Sequence, residues 1–442
     1  MAEVIPFNGV LYNPEMIEDM ADVTAPPFDV ISVKDRNGLY QRHPNNVIRL
    51  ILGRSRSEDQ NQSDIHLRAA IFFRQWLDGN ILRRDAESAY YLTRVTFRLD
   101  QEIISRLGLV GCVRLEPFEK GIVLPHERTF SKVRSERLGL MQACHANFSP
   151  IFGLYADDST ILARLEHAAQ SRPPEMDLID DMGSRHSLWR ITDEQTRMQI
   201  QSALEDQRIY IADGHHRYET ALNYRQWIRA NDDRFDSNHP ANFVMMSLCS
   251  LKDPGMIILP AHRLLKDVSG AQMATLLPRA EAYFDIQSFS TRTGVESALT
   301  QLDEALARQV DGNAIGLCMQ NHPALYVLVL KNGVMDDLFG EEMAAPLRAL
   351  DVSVLTRLVM MELLEFDQAR RDDASKIRYA TKSRDAVAAV HDCAADMAFI
   401  LNPTKIEQVQ RVSQKGLIMP RKSTYFFPKV ISGLVMNLLY RP

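Results

Sequence analysis

Cysteine is scarce: Cys112, Cys144, Cys249, Cys318 and Cys393 are the only five in 442 residues, and no two lie closer than 32 positions. The odd number and the lack of any CxxC or zinc-ligand spacing argue against a disulfide framework and against structural zinc. No apolar run approaches the roughly 18 residues needed to span a bilayer, so no membrane role is expected. The start, MAEVIPFNGVLYNPEMIEDMADV, mixes acids among its apolar residues without a basic lead, so it does not read as a signal peptide. Basic charge is not in excess either, with 51 Lys and Arg against 57 Asp and Glu and a formal charge of -6. That is the wrong sign for a polyanion's partner, and no nucleic acid is expected. Several catalytic signatures are missing too: GxGxxG, HExxH and GxSxG do not occur, and the KST at 422–424 lacks the glycine-rich lead of a Walker A loop.

What remains is a globular composition, 45% hydrophobic and 24% charged, in a chain long enough for two or three domains. The expectation is a folded, soluble, cytoplasmic protein. Strand-like and helix-like patterns alternate, which predicts an α/β or α+β fold. Strands are predicted at 89–99, 107–115, 149–156, 242–251 and 324–330, where β-branched and aromatic residues cluster. Helical periodicity runs through 64–79, 218–230, 295–310, 353–366 and 383–394. The Pro pair and acids of SRPPEMDLIDDM, 171–182, predict a linker or exposed excursion, and a second break is expected near 266–270.

The strongest local signal is QRIYIADGHHRYETALNY, 207–224. An apolar strand, 209–212, runs into Asp213 and Gly214, then His215, His216 and Arg217, then an amphipathic helix. A helix start offers unpaired backbone N–H groups and a partial positive charge, the setting in which phosphate sites are built. Gly214 admits close backbone approach or positive φ, Arg217 can fork onto phosphate oxygens, and the imidazoles can donate hydrogen bonds or take a proton. Asp213 reads as a general base or magnesium ligand, or as a plain N-cap. Two histidines and an arginine crowded together bring like charges near one another unless an anion joins them.

A second constellation is LPHERTF, 124–130, with Lys132, Arg134 and Arg137 behind it. His126, Glu127, Arg128 and Thr129 suit an anionic substrate group, and Glu127 suits a substrate ammonium or magnesium ion; a solvated charged turn is the plainer reading. Asp29 sits on irregular backbone after Pro26 and Pro27. Arg49 falls in an apolar, strand-like run beside Asn46. His262 and Arg263 follow Pro260, and Arg421 to Thr424 offer cations and hydroxyls before an aromatic run.

IADGHHRYETAL, 211–222, resembles the signature of a bacterial and archaeal family in the ParB/sulfiredoxin-like superfamily, and its DGHHR is similar to that of free L-serine kinases. The resemblance extends through APPFDVIS (25–32), NNVIRLILG (45–53), LPHERTF, ANFSPIFGLY (146–155), LPAHR (259–263) and MPRKSTYFFPK (419–429), nearly the whole chain. It implies a mixed sheet with helices over 1–265 and a second α/β region over 266–442 that returns 419–429 to the site. It further implies a small-molecule kinase that uses magnesium and ATP, ADP or pyrophosphate to phosphorylate free L-serine or a similar hydroxylated metabolite. Asp213 would be the base, with Gly214, His215, His216 and Arg217 on the donor phosphates. The alternatives are a ParB-like nucleotide switch or NTP hydrolase and, last, a nuclease. Sulfiredoxin chemistry needs a cysteine near the phosphate, and none lies in the motif.

Overall fold

Alternation of apolar and polar residues along a strand sorts side chains onto two faces, and both faces of the main sheet here are covered. The computed structural model describes residues 2–129, 131–156, 160–310, 312–373 and 375–440. They fall into two compact units, one running to Ile257 and taking the chain back from Pro428, the other Ile258–Phe427. The second unit begins at Ile258 and so includes the strand His262–Leu265, and of the 419–429 stretch only Pro428 and Lys429 belong to the first.

In the first unit the strands are β1 (Val4–Ile5), β2 (Tyr90–Leu99), β3 (Glu102–Arg114), β4 (Val123–Leu124), β5 (Ile151–Tyr155), β6 (Met176–Ile179), β7 (Arg185–Ile191), β8 (Ile209–Asp213) and β9 (Phe243–Ser250). They make one mixed sheet in the order β4-β8-β5-β9-β3-β2-β7-β6, with β1 beside the end of β3. The β4–β8 and β5–β9 pairs are parallel and the rest antiparallel. Its helices include α1 (Gln62–Asp78), α2 (Ser131–Cys144), α3 (Glu194–Glu205) and α4 (His215–Asn231). One face packs Leu92, Leu109, Ile211 and Met246 against Tyr218 and Ala221 of α4. The other packs Tyr91, Val110 and Met245 against Ile431, Leu434 and Val435 of the returning chain.

Two expectations are corrected. The excursion at 171–182 contains β6, an edge strand on β7 whose Met176 and Leu178 point inward while Asp177 and Ile179 point out. The run around Arg49 is a helical turn, Ile48–Ile51, because the buried Asn46 accepts the Ile48 N–H and starts it. Arg49 lies over the Tyr40 ring and donates to the Tyr40 carbonyl.

The second unit is a six-stranded antiparallel sheet of β10 (His262–Leu265), β11 (Phe284–Ser290), β12 (Ala314–Met319), β13 (Ala324–Leu330), β14 (Ile377–Ala380) and β15 (Met397–Leu401), in the order β11-β13-β12-β15-β10-β14. Helices α5 (Val295–Arg308) and α6 (Ser383–His391) cover one face. The other face carries Val354–Leu363, which winds as a wide π-type helix. Among the described residues no helix is long and apolar enough to cross a membrane.

Candidate active site

Between Ile211 and Asp213 the register of β8 against β5 shifts, a bulge that puts Asp213 opposite Phe152. Bulges of this kind re-aim a side chain at a strand end. Gly214 follows at φ +94°, and α4 begins at His215. A Cβ on Gly214 would lie 2.9 Å from Arg217 Nε. Gly214→Ala therefore meets both a left-handed backbone and the guanidinium; a loss of about 1–2 kcal/mol is expected from the backbone alone. Chemical denaturation followed by circular dichroism checks it, and an unchanged midpoint would refute the geometry.

Asp213 is held from two sides. Its Oδ2 accepts from Arg217 at 2.7 Å and its Oδ1 from Lys429 at 2.6 Å, all three side chains being mostly buried. Arg217 also donates to the Pro150 carbonyl. Burial alone would raise the Asp213 carboxyl, but Lys429 and Arg217 outweigh it and hold it far below the usual carboxylate range. Such a weak base is poorly matched to proton abstraction near neutral pH. The Asp213 carboxylate is thus paired with two cations at once.

His215 is buried, and its Nε2 accepts the His126 backbone N–H at 3.2 Å, which leaves the ring proton on Nδ1. That nitrogen lies 3.9 Å from Glu127 Oε2. The His126 ring meets His215 edge-on, centroids 4.7 Å apart, and bonds to the Ile211 backbone. Burial drives both imidazoles down, His126 to about 4 and His215 well below its ordinary value, the latter helped by His126 itself. His126 and His215 are thus held toward neutrality, beside the cations Arg217 and Lys429.

Thr129 donates to Glu219 at 2.7 Å and Arg134 pairs with the same carboxylate, tying the LPHERTF loop to α4. Arg128 is exposed and His216 half-buried in the first turn of α4. Arg137 donates to the Ile51 carbonyl and lies over Phe28. Phe130 and the Lys132 side chain lie outside the described residues. The structure thus joins the two motifs, which are more than 80 residues apart in sequence, around one helix start. Asp29 stays exposed in a short turn. His262 accepts the Leu401 N–H and Arg263 donates to the Arg421 carbonyl, both within the second unit. Lys429 was not singled out in sequence, where it is only the last residue of MPRKSTYFFPK; its one signal is a cation after Pro428.

Among the described residues no three His, Cys, Asp or Glu side chains group to hold a metal. With both Asp213 oxygens taken by cations, the site builds no magnesium cage of its own.

The sequence profile described as "Protein of unknown function (DUF1015)" matches residues 4–353, most of the chain. The chain belongs to the DUF1015 family. No curated protein matches the sequence. Among solved structures, similar chains include a conserved hypothetical protein from Pyrococcus furiosus, with TM-score 0.33 and 12% identity over 70% of this chain and 89% of that one. A free serine kinase in complex with AMP has TM-score 0.30 and 12% identity over 73% and 86%. SbnI with a C-terminal truncation, from Staphylococcus aureus, has TM-score 0.32 and 11% identity over 74% and 81%.

The neutral histidines give this DUF1015 protein a pH signature. His126 titrates near 4 in the folded state against roughly 6.5 unfolded, so as pH falls the unfolded chain takes the proton first. Stability is then lost between about pH 6.5 and about 4, amounting to about 3 kcal/mol for His126, with no further loss from this group below that window. Denaturant midpoints measured across it for wild type and His126→Asn should converge at the acid end. Parallel profiles would contradict a buried neutral His126.

Proposed function

We propose that this DUF1015 protein is a phosphotransferase that moves a phosphoryl group from ATP, ADP or pyrophosphate to the hydroxyl of free L-serine or a similar small metabolite. The observation that carries the reading is the turn itself: a bulged strand, a left-handed Gly214 and the start of α4, flanked by Arg217 and Lys429. Phosphoryl transfer asks mainly for positioning and charge neutralisation, and a helix start beside two fixed cations supplies both. The likeness of DGHHR to the L-serine kinases, and of the wider sequence to ParB/sulfiredoxin-like proteins, favours the same reading.

In this reading the backbone of Gly214 to His216, with Arg217, receives the donor phosphates. Glu127, whose side chain is a third exposed, accepts the proton of the attacking hydroxyl. Asp213, by contrast, faces Arg217 and Lys429, which suits it poorly to that step. Asp213 keeps Arg217 and Lys429 aligned. Magnesium would neutralise charge on the donor phosphates.

The test is phosphorus NMR of the purified protein with magnesium, L-serine and, in separate tubes, ATP, ADP or pyrophosphate. A phosphomonoester signal that requires the acceptor is expected in one tube. The pinned Asp213 favours one rival, a nucleotide-binding switch. Nucleotide binding without a phosphomonoester from any hydroxylated acceptor would replace the kinase by that switch.

A further inference from the structure

The second unit holds a cleft of its own, where the start of β10 and the end of β15 meet α5 and the first turn of α6. Its volume is about 290 Å³. That is close to the lower end of small-ligand sites, roughly 300–1,000 Å³. Helix α6 opens into it uncapped: Lys382, at the N-cap position, makes no side-chain hydrogen bond to the helix, and Ser383 and Arg384 border the cleft. An uncapped start leaves backbone N–H groups without acceptors and carries a partial positive charge. Many helices begin so, and what distinguishes this one is the histidine beside it.

His262 is only 3% exposed. Its Nδ1 accepts the Leu401 N–H at 3.1 Å, which puts the ring proton on Nε2. Among the described residues nothing accepts from that N–H, and it is not sealed into the core but opens on the cleft. A buried donor without an acceptor is costly, so its place in this wall points to an acceptor that arrives with a ligand. Burial, with Arg263 adjacent, pushes the imidazole down to about 4, so it acts as a neutral donor. Charge comes from Lys382, which is exposed and pairs with no carboxylate among the described residues. Arg384 is committed to Glu296 at 2.7 Å.

Backbone N–H groups, an imidazole N–H and an ammonium are more donors than the two oxygens of a carboxylate engage, and they suit the three outer oxygens of a phosphomonoester. The cleft is not purely cationic. Asp303 lines it, accepting from the Ser383 hydroxyl at 2.9 Å, and so does Asn402, whose amide donates to the Leu306 carbonyl at 3.1 Å. A carboxylate and an amide oxygen disfavour a bare anion but receive a hydroxyl or ammonium group of the same molecule. We infer that this cleft binds a small phosphomonoester carrying a hydroxyl or amino group, with its phosphate on the α6 start and His262 and its second group at Asp303. This ligand site is separate from the Gly214 turn, and it stands whether or not that turn transfers phosphate.

Hydrogen exchange of the full chain, read by mass spectrometry, locates the binding without turnover. Glycerol 3-phosphate, phosphoethanolamine and inorganic phosphate are each compared with potassium chloride at equal ionic strength. At least one monoester should slow exchange of the peptide 381–387 severalfold at saturation, at lower concentration than inorganic phosphate does. His262→Asn keeps an acceptor for the Leu401 N–H and removes the Nε2 donor. Ser383→Pro removes a first-turn N–H where proline is well tolerated, because Lys382 before it is already extended at φ −117°, ψ 132°. Each should raise the half-protecting concentration about tenfold or more, the worth of a hydrogen bond to a charged group. The exposed Ser383→Pro decides the matter if His262→Asn folds poorly. No slowing beyond that in chloride, or protection that survives unchanged in a well-folded Ser383→Pro, overturns the site. Protection by inorganic phosphate at or below the concentrations of both monoesters overturns the assignment of a phosphomonoester.

Discussion

Glu127→Gln is expected to lower phosphoryl transfer by about 10²- to 10⁴-fold, the usual worth of a positioned general base, while leaving nucleotide affinity nearly unchanged. The amide keeps the shape of the side chain and its place 3.9 Å from His215 Nδ1, but it cannot take a proton. The backbone of the Gly214 turn and the Arg217 guanidinium, which would hold the donor, are untouched. The loss should therefore appear in kcat rather than in donor KM, the mark of an interaction made in the transition state. Single-turnover transfer to the acceptor, beside equilibrium titration of ATP, separates the two. Full turnover in Glu127→Gln would return the base to another group. A parallel loss of ATP affinity would recast Glu127 as part of the donor site.

Much of this arrangement is legible in the sequence because its causes are local. The apolar strand, the glycine and the helix start of IADGHHRYETAL are set by neighbouring residues, and the structure forms them where periodicity and turn chemistry put them. The long central strands of 89–99 and 107–115 carry enough β-branched and aromatic residues to be read without context. What escaped depends on partners far away in the chain. The pairing of Asp213 with Lys429, 216 positions later, has no local signature. His215 reads as a source of charge until its burial against His126, 89 positions earlier, pushes its proton affinity down. Arg49 and its apolar neighbours fit a strand pattern that the Asn46 cap converts to a helical turn. The short edge strand β6 was hidden by Pro173 and Pro174 just before it, although its alternation is clean. Burial and long-range ion pairs shape this site, and neither has a local spacing to betray it.

The same dependence predicts that Asp213→Asn will be primarily a stability variant. The substitution leaves Arg217 and Lys429, both mostly buried, facing an amide that offers one acceptor oxygen and no charge. Removing one partner of a buried ion pair strands the other, and a loss of about 3–5 kcal/mol is expected for the unit that holds the site. Lys429→Met added to Asp213→Asn should return part of that loss, because the stranded cation goes with it. The coupling measured in such a cycle should reach about 1–3 kcal/mol. Acid provides an independent check. A carboxyl depressed in the folded state contributes stability that is complete above its unfolded value of about 3.9 and disappears as pH falls through the folded one. Asp213→Asn should therefore lose least relative to wild type at low pH, and the two denaturation curves should approach one another below about pH 4. A loss under about 1 kcal/mol at neutral pH, or a gap that persists into acid, would show that Asp213 does not carry the two cations and would reopen its candidacy as the base.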